Sequence, residues 1–364
     1  MLWRITVVNF MLAALVLTPL DAARFDIPRR DVLLDEPISM TLSGVAPRAT
    51  VTIRVRGGEG DVWTSNAVFV ADDDGQIDLT RTAPVRGSYK GVDAMGLFWS
   101  IERHRPPTRT AAAEDDDDEE AGTPESWTLT AEVGNQTVAQ TTVRRRAVGE
   151  DVRLTPVRAD GLVGTFYEPP DGGRRHPAMI VLGGSEGGIP RPAGHAGGLA
   201  SRGYAVLALA YYGVEGLPAT LSNIPLEYFG RAIGWLAAQP SVDSNRIGVI
   251  GASRGAELAL LLGGLYPSLR VVVAYMPSHV VVRGCCDPRT WFFAWTVGGR
   301  PVAAMPPPGR RDPLEAQHAE IQVERIRGPI LLVSGTDDGV WPSAESAGKI
   351  VARLQQHHFS FPYE

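Results

Sequence analysis

The sequence predicts an α/β architecture entered through an all-β region. Three observations carry that prediction. From about Asp151 onward, short apolar runs alternate with helical patterns. Before that point, apolar and polar residues alternate with a period of two, with turn signals between the runs. At Gly251-Ala252-Ser253-Arg254-Gly255, a Gly-x-Ser-x-Gly turn joins a strand pattern to a helix pattern. The chain's 364 residues suit two domains rather than one.

The first residues read as a leader. Arg4 precedes an apolar stretch from Ile5 to Leu17, broken only by Thr6 and Asn9, and small residues follow at Ala22 and Ala23. A positive start, a short apolar segment and a small-residue cleavage site are the layout of a signal peptide. The stretch is too short to cross a bilayer comfortably. The expectation is a leader over residues 1–23 and an exported protein, periplasmic or secreted. Without a working leader the protein is cytoplasmic. No other segment has the length and apolarity of a membrane span.

Residues 24–150 read as an immunoglobulin-like β-sandwich. Val51, Ile53 and Val55 alternate with Thr52, Arg54 and Arg56, the period of a half-buried strand. Ala67 to Val70 leads into a turn at Asp73-Asp74-Gly75. Trp127, Leu129, Ala131 and Val133 alternate again, Gly134-Asn135 turns the chain, and Thr137 to Val143 returns. Repeated short strands with turn signals make a sandwich.

Within the loop 104–126 lies the run Glu114–Glu120, seven acids in succession. It reads as a solvated loop. A calcium site is the sharper alternative, but the run lacks the spaced glycine and carbonyl positions of a formed loop. The net charge is −6, so without this run the charges nearly balance. No basic stripe interleaved with aromatics is present, which excludes a nucleic-acid partner. The two cysteines, Cys285 and Cys286, are adjacent and provide no disulfide framework. No metal and no cofactor are expected.

Residues 151–364 carry the α/β pattern. Met179–Leu182, Ala205–Ala210, Ile247–Ile250, Val271–Tyr275 and Ile330–Val333 are continuous apolar runs. Helical patterns cover Ile224–Ala238, Ala256–Leu265 and Ala344 to about Gln356. Continuous apolar strands separated by helices mean a parallel sheet covered on both faces.

The chemistry centres on Ser253. A serine hydroxyl needs a base to take its proton and donors to hold the oxyanion. In the α/β-hydrolase fold, a strained strand-to-helix turn presents such a serine, with small flanking residues letting the helix pass close to the strand. Gly-x-Ser-x-Gly alone is weak in a chain with 40 glycines. Here a strand pattern precedes it and a helix pattern follows. The backbone N–H of Arg254 is the first expected oxyanion donor. The second comes from the loop Gly183–Gly188. Ser185 is favoured there, with Glu186 the alternative.

The acid should follow the serine in chain order, and the histidine should follow the acid. Gly335-Thr336-Asp337-Asp338 follows the run Ile330–Val333. Asp338 is the favoured acid by similarity to related hydrolases, leaving Asp337 to the turn. The histidine belongs in a loop after one more helix and one more strand. That strand is expected to begin at Phe359-Ser360-Phe361. His357 and His358 precede it, at the end of the sheet away from Ser253, and suit a helix C-terminus better. His195 and His279 precede the acid. His279 could face the site as a binding residue. The expected position for the base therefore falls past Glu364, which implies a truncated hydrolase domain with very little activity.

Beyond the elbow, several motifs resemble those of the acyl-CoA thioesterases and bile acid-CoA:amino acid N-acyltransferases. They are Asp35-Glu36-Pro37, Gly87-Ser88-Tyr89, Met95–Ser100, Glu257-Leu258-Ala259-Leu260 and Ser278-His279-Val280-Val281. The resemblance covers almost the whole chain after the leader. It implies a small-molecule acyl thioester as substrate, acyl transfer to the nucleophile, and release of CoA as a thiol. It carries the serine and aspartate roles to Ser253 and Asp338, and its histidine to no residue. Family members that conjugate amino acids use cysteine, so Ser253 favours water as acceptor. An exported carboxylesterase, an N-acyltransferase and an inactive binding protein are the alternatives.

Overall fold

The computed structural model describes residues 22–58, 62–104, 125–170, 173–190, 195–284, 292–306 and 317–364. Most of the expected leader, the acidic run and the cysteine pair lie outside these residues. The chain forms two compact units: among the described residues the first takes in 22–32, 36–104 and 125–145, and the second takes in 33–35 and the residues from 146 onward.

The first unit is built from strands. β1 (Arg24–Asp26), β3 (Thr41–Ser43) and β6 (Ile77–Asp78) form one sheet in the order β1-β3-β6. The second sheet contains β2 (Asp31–Leu33), β4 (Thr50–Gly57), β5 (Val62–Val70) and β7 (Arg86–Gly87). It also contains β8 (Glu102–His104), β9 (Glu125–Val133) and β10 (Gln136–Arg146). Its order is β2-β10-β9-β4-β5-β7, with β8 also pairing β5. Along β4, Val51, Ile53 and Val55 are buried and the residues between them are not. They share one core with Leu42, Phe69, Ile77, Trp127 and Leu129, drawn from both sheets. The period-2 pattern thus produces the expected sandwich. A single helical turn, α1 (Gly96–Trp99), inserts Leu97 and Phe98 into the same core.

The second unit has a seven-stranded sheet: β11 (Arg153–Ala159), β12 (Leu162–Glu168), β13 (His176–Leu182), β14 (Ala205–Ala210), β16 (Val242–Ala252), β17 (Leu269–Tyr275) and β20 (Ile330–Val333). The order is β11-β12-β14-β13-β16-β17-β20. β11 and β12 pair antiparallel, as do β12 and β14, and the remaining pairs are parallel. All six residues of β14 are buried, as expected of a strand covered on both faces. On β17, Val272 and Ala274 join one core, while Val271, Val273 and Tyr275 join the other. α2 (Gly197–Ser201) covers the second face. The first face carries α3 (Glu227–Ala237), α4 (Arg254–Leu265) and α5 (Ser343–Gln356).

The chain leaves β13 toward β14 on one side, while β16 pairs β13 on the other. That reversal is a topological switch point, where open α/β sheets place their ligand crevices. The loop 183–188 and Ser253 both follow the C-terminal ends of these two strands.

Two expected elements need correction. The helix expected over Ile224–Ala238 begins later. Ile224–Pro225 is instead a short strand, β15, beside β18 (Trp295–Val297), which in turn pairs β19 (Arg300–Pro301). Pro225 cannot donate into a helical ladder, so the helix starts after it. The last strand is not at Phe359–Phe361. Those rings pack on each other at 5.6 Å, and pairing begins at Pro362. Ile330 donates to the Pro362 carbonyl (3.1 Å), Glu364 donates to that of Ile330 (3.1 Å), and Leu332 donates to that of Glu364 (2.7 Å). Residues 362–364 thus run parallel to β20.

Candidate active site

Ser253 stands between β16 and α4 with φ 55° and ψ −116°. Positive φ with this ψ is a sparsely populated conformation for a residue with a β-carbon, of the kind found at functional turns. The surroundings hold it there. Ser253 N–H donates to the Tyr275 carbonyl at 2.9 Å, tying the turn to the end of β17. The Ser253 carbonyl accepts from Ala256 (3.0 Å) and Glu257 (3.2 Å), starting the helix. A β-carbon on Gly251 would stand 2.0 Å from the Gly255 carbonyl oxygen, so the turn requires its flanking glycines.

The loop 183–188 lies against this turn. A β-carbon on Gly184 would be 3.3 Å from that of Ser253. The Gly184 N–H is occupied, donating to Glu186 Oε1 at 2.7 Å. Ser185 N–H has no hydrogen-bond partner among the described residues. As the first helical residue, Arg254 has no intrahelical acceptor for its N–H. The Glu186 N–H likewise has no hydrogen-bond partner among the described residues, so the loop offers free N–H groups at Ser185 and Glu186 and the first turn of α4 offers another. Tyr211 Oη donates to the Gly183 carbonyl (2.7 Å), and Tyr212 Oη donates to that of Gly184 (3.2 Å). Both hydroxyls support the loop from behind.

Asp338 lies in the loop after β20. Its Oδ1 accepts from the N–H groups of Val340 (3.0 Å) and Trp341 (3.3 Å). The Ser343 hydroxyl stands alongside without a formed hydrogen bond. That hydroxyl first, and then the two N–H groups, hold the carboxyl below its ordinary range. Oδ2 is shielded by its immediate neighbours and has no partner among the described residues. The same loop is anchored beside Ser253. The Trp341 indole donates to the Met276 carbonyl at 3.1 Å, one residue beyond the Tyr275 carbonyl that holds Ser253. Asp337 is exposed.

No histidine among the described residues hydrogen-bonds to Ser253 or Asp338. His279 Nδ1 pairs with Ser346 Oγ at 3.1 Å on α5. Burial, then Lys349, lowers its pKa. It lines a cleft of about 360 Å³ with Glu320, Lys349 and Arg353, on the α5 side. The possibility that His279 faces the active site is therefore set aside. His195 stacks on Tyr275, ring centroids 4.5 Å apart, and burial lowers its pKa. His357 and His358 close α5. His357 N–H donates to Arg353, and His358 adopts a left-handed φ of 50°.

Residues 35–159 match the family profile for the acyl-CoA thioester hydrolase/BAAT N-terminal region. Residues 224–289 and 310–363 match the profile for the BAAT/acyl-CoA thioester hydrolase C terminal. Acyl-coenzyme A thioesterase 1 of Rattus norvegicus is 32% identical over 339 residues, covering 89% of this chain and 78% of that protein. The chain belongs to the acyl-CoA thioester hydrolase/BAAT family. Acyl-coenzyme A thioesterase 6 of Mus musculus is 33% identical over 348 residues, with the same coverage of the two chains. Mitochondrial acyl-coenzyme A thioesterase 2 of Homo sapiens is 31% identical, covering 89% of this chain and 68% of that protein. Among solved structures, a putative dienelactone hydrolase from Klebsiella pneumoniae aligns with a TM-score of 0.42 at 17% identity. That alignment covers 58% of this chain and 83% of the other.

In this thioesterase-family chain Glu257 bonds to Trp295 and Trp295 packs on Tyr211, a meeting that the sequence alone does not reveal. Glu257 is the one acid in the otherwise apolar helical run 256–262, and that was the available signal. Its buried carboxylate accepts from Arg254 Nη1 (2.7 Å), Trp295 Nε1 (2.7 Å) and Val282 N–H (3.1 Å). No helix among the described residues is long and apolar enough to cross a membrane.

Proposed function

We propose that the chain hydrolyses an acyl thioester, with an acyl-CoA as substrate and Ser253 as nucleophile. Ser253 Oγ attacks the thioester carbonyl carbon. The N–H groups of Arg254 and Ser185 hold the oxyanion. Collapse breaks the C–S bond, the thiol leaves with the proton taken from Ser253, and the acyl group remains on Ser253. Water then cleaves the acyl-serine, releasing the carboxylic acid and restoring the hydroxyl. No histidine among the described residues stands ready to carry these protons, so an imidazole supplied in solution is the base, and the otherwise unpartnered Oδ2 of Asp338 orients it and balances its charge. The strained turn at Ser253, packed against the loop 183–186 at the switch point, is the observation that carries the reading.

The test is acyl-CoA turnover by the wild-type chain and by Ser253→Ala, each with and without added imidazole. The expected result is slow basal turnover that imidazole raises and Ser253→Ala abolishes. Equal thioester cleavage by Ser253→Ala would overturn the serine mechanism. A second reading, an acyl-thioester-binding protein without catalysis, is favoured by one observation: no histidine among the described residues meets Asp338. Saturable acyl-CoA binding without turnover, with or without imidazole, would select it. N-terminal sequencing of the mature protein separates an exported esterase, cleaved near Ala23, from a thioesterase that keeps Met1.

A further inference from the structure

A buried ion pair sits directly behind the nucleophile, and the hydrolytic steps do not use it. The side chains of Arg254 and Glu257 are 5% and 0% exposed. Arg254 Nη1 donates to Glu257 Oε2 at 2.7 Å, and Arg254 Nη2 donates to the Val282 carbonyl at 2.9 Å. Glu257 Oε1 receives the Trp295 indole N–H at 2.7 Å. The guanidinium also lies 6.0 Å from the centre of the Trp295 ring. Stability alone does not call for this arrangement. Desolvating two charges costs several kcal/mol each, and apolar replacements of such pairs are often neutral or stabilising. In the first turn of α4 the helix dipole disfavours Arg254 and favours Glu257, so it gives no net reason for the pair.

The contacts lead to the oxyanion donors. Arg254 supplies one of them from its own backbone. The Trp295 ring packs on the Tyr211 ring at 5.8 Å. Tyr211 in turn holds the Gly183 carbonyl, two residues before Ser185. One continuous buried cluster therefore joins the two halves of the oxyanion hole, which lie on different loops.

We infer that Glu257 is a positioning residue for the oxyanion hole. Through Arg254 it fixes the first turn of α4, and through Trp295 and Tyr211 it keeps that turn in register with the loop 183–186. This rests on the serine-hydrolase reading of Ser253. Misplacement of a reacting group by about 1 Å costs on the order of 100-fold, and loss of one oxyanion donor costs about 10²–10³-fold. Glu257→Gln keeps the shape and removes the charge. It is expected to lower kcat about 10–100-fold with KM nearly unchanged.

The experiment compares wild type, Ser253→Ala, Glu257→Gln, Trp295→Phe and the double variant Arg254→Gln/Glu257→Gln. Three readouts are taken on the full chain: imidazole-supported acyl-CoA kinetics, the rate of Ser253 labelling by a fluorophosphonate, and Tm. The double variant leaves no unpaired buried charge. A positioning role predicts that it recovers Tm while kcat and labelling stay low. Recovery of turnover together with Tm would reduce Glu257 to a structural part and overturn the inference. So would a Glu257→Gln enzyme within about twofold of wild type. If Glu257→Gln does not fold, Trp295→Phe and the double variant carry the comparison. Wild type that labels at Ser253 without cleaving acyl-CoA defeats only the substrate assignment, and the labelling rates still test Glu257. Wild type that neither labels nor cleaves removes the serine reading and this inference with it.

Discussion

A β-carbon added to Gly255 would stand 2.3 Å from the carbonyl oxygen of Gly183. The helix after the nucleophile and the loop beside it therefore approach as closely as two backbones can. Gly255→Ala must push them apart. Overpacking of this kind costs roughly 1–3 kcal/mol. Urea unfolding should show a loss of that size, and turnover should fall further than stability, because the displaced loop carries Ser185. Wild-type stability in Gly255→Ala would contradict the close approach.

The Asp338 carboxyl is held below its ordinary value by the Ser343 hydroxyl and by the Val340 and Trp341 N–H groups. A depressed folded-state pKa gives stability that is present above the unfolded value, about 3.9, and is lost as pH falls through the folded value. The stability gap between wild type and Asp338→Asn should thus be constant near neutrality and narrow as pH drops below about 4. Equilibrium unfolding across pH 2–7 reads this directly, and a gap independent of pH would remove the ionised Asp338 from the loop's support.

Asp338→Asn should also weaken imidazole-supported turnover. A neutral amide cannot balance the charge of a protonated imidazole as the carboxylate does. The imidazole concentration giving half-maximal rate should rise. An unchanged imidazole response would show that Oδ2 does not face the reacting centre.

Tyr211→Phe removes the hydroxyl that donates to the Gly183 carbonyl. An acceptor left buried and unpaired costs about 1–3 kcal/mol. Both Tm and Ser253 labelling rate are expected to drop, with the labelling rate falling even at temperatures where the variant is fully folded.

Much of this was legible in the sequence. Ala205–Ala210 and Ile330–Val333 are strands with the predicted bounds; the first is buried throughout, which requires an apolar run, whereas the second exposes Leu331. Ser253 was legible because the turn chemistry is local, with two glycines, a strand before and a helix after. The role of Glu257 was not. Its partners Val282 and Trp295 lie 25 and 38 residues along the chain, and nothing in their local pattern marks the meeting. The Pro362–Glu364 pairing was misplaced because Phe359 and Phe361 alternate like a strand, yet pack on one another before pairing starts.

The backbone at Ser253 holds a conformation that costs on the order of 1–3 kcal/mol for a residue with a β-carbon. Glycine would adopt it freely. Evolution toward greater thermal resistance is therefore drawn to glycine at position 253, and that change removes the hydroxyl. Under the serine mechanism proposed above, selection for activity and selection for robustness pull in opposite directions at this one residue.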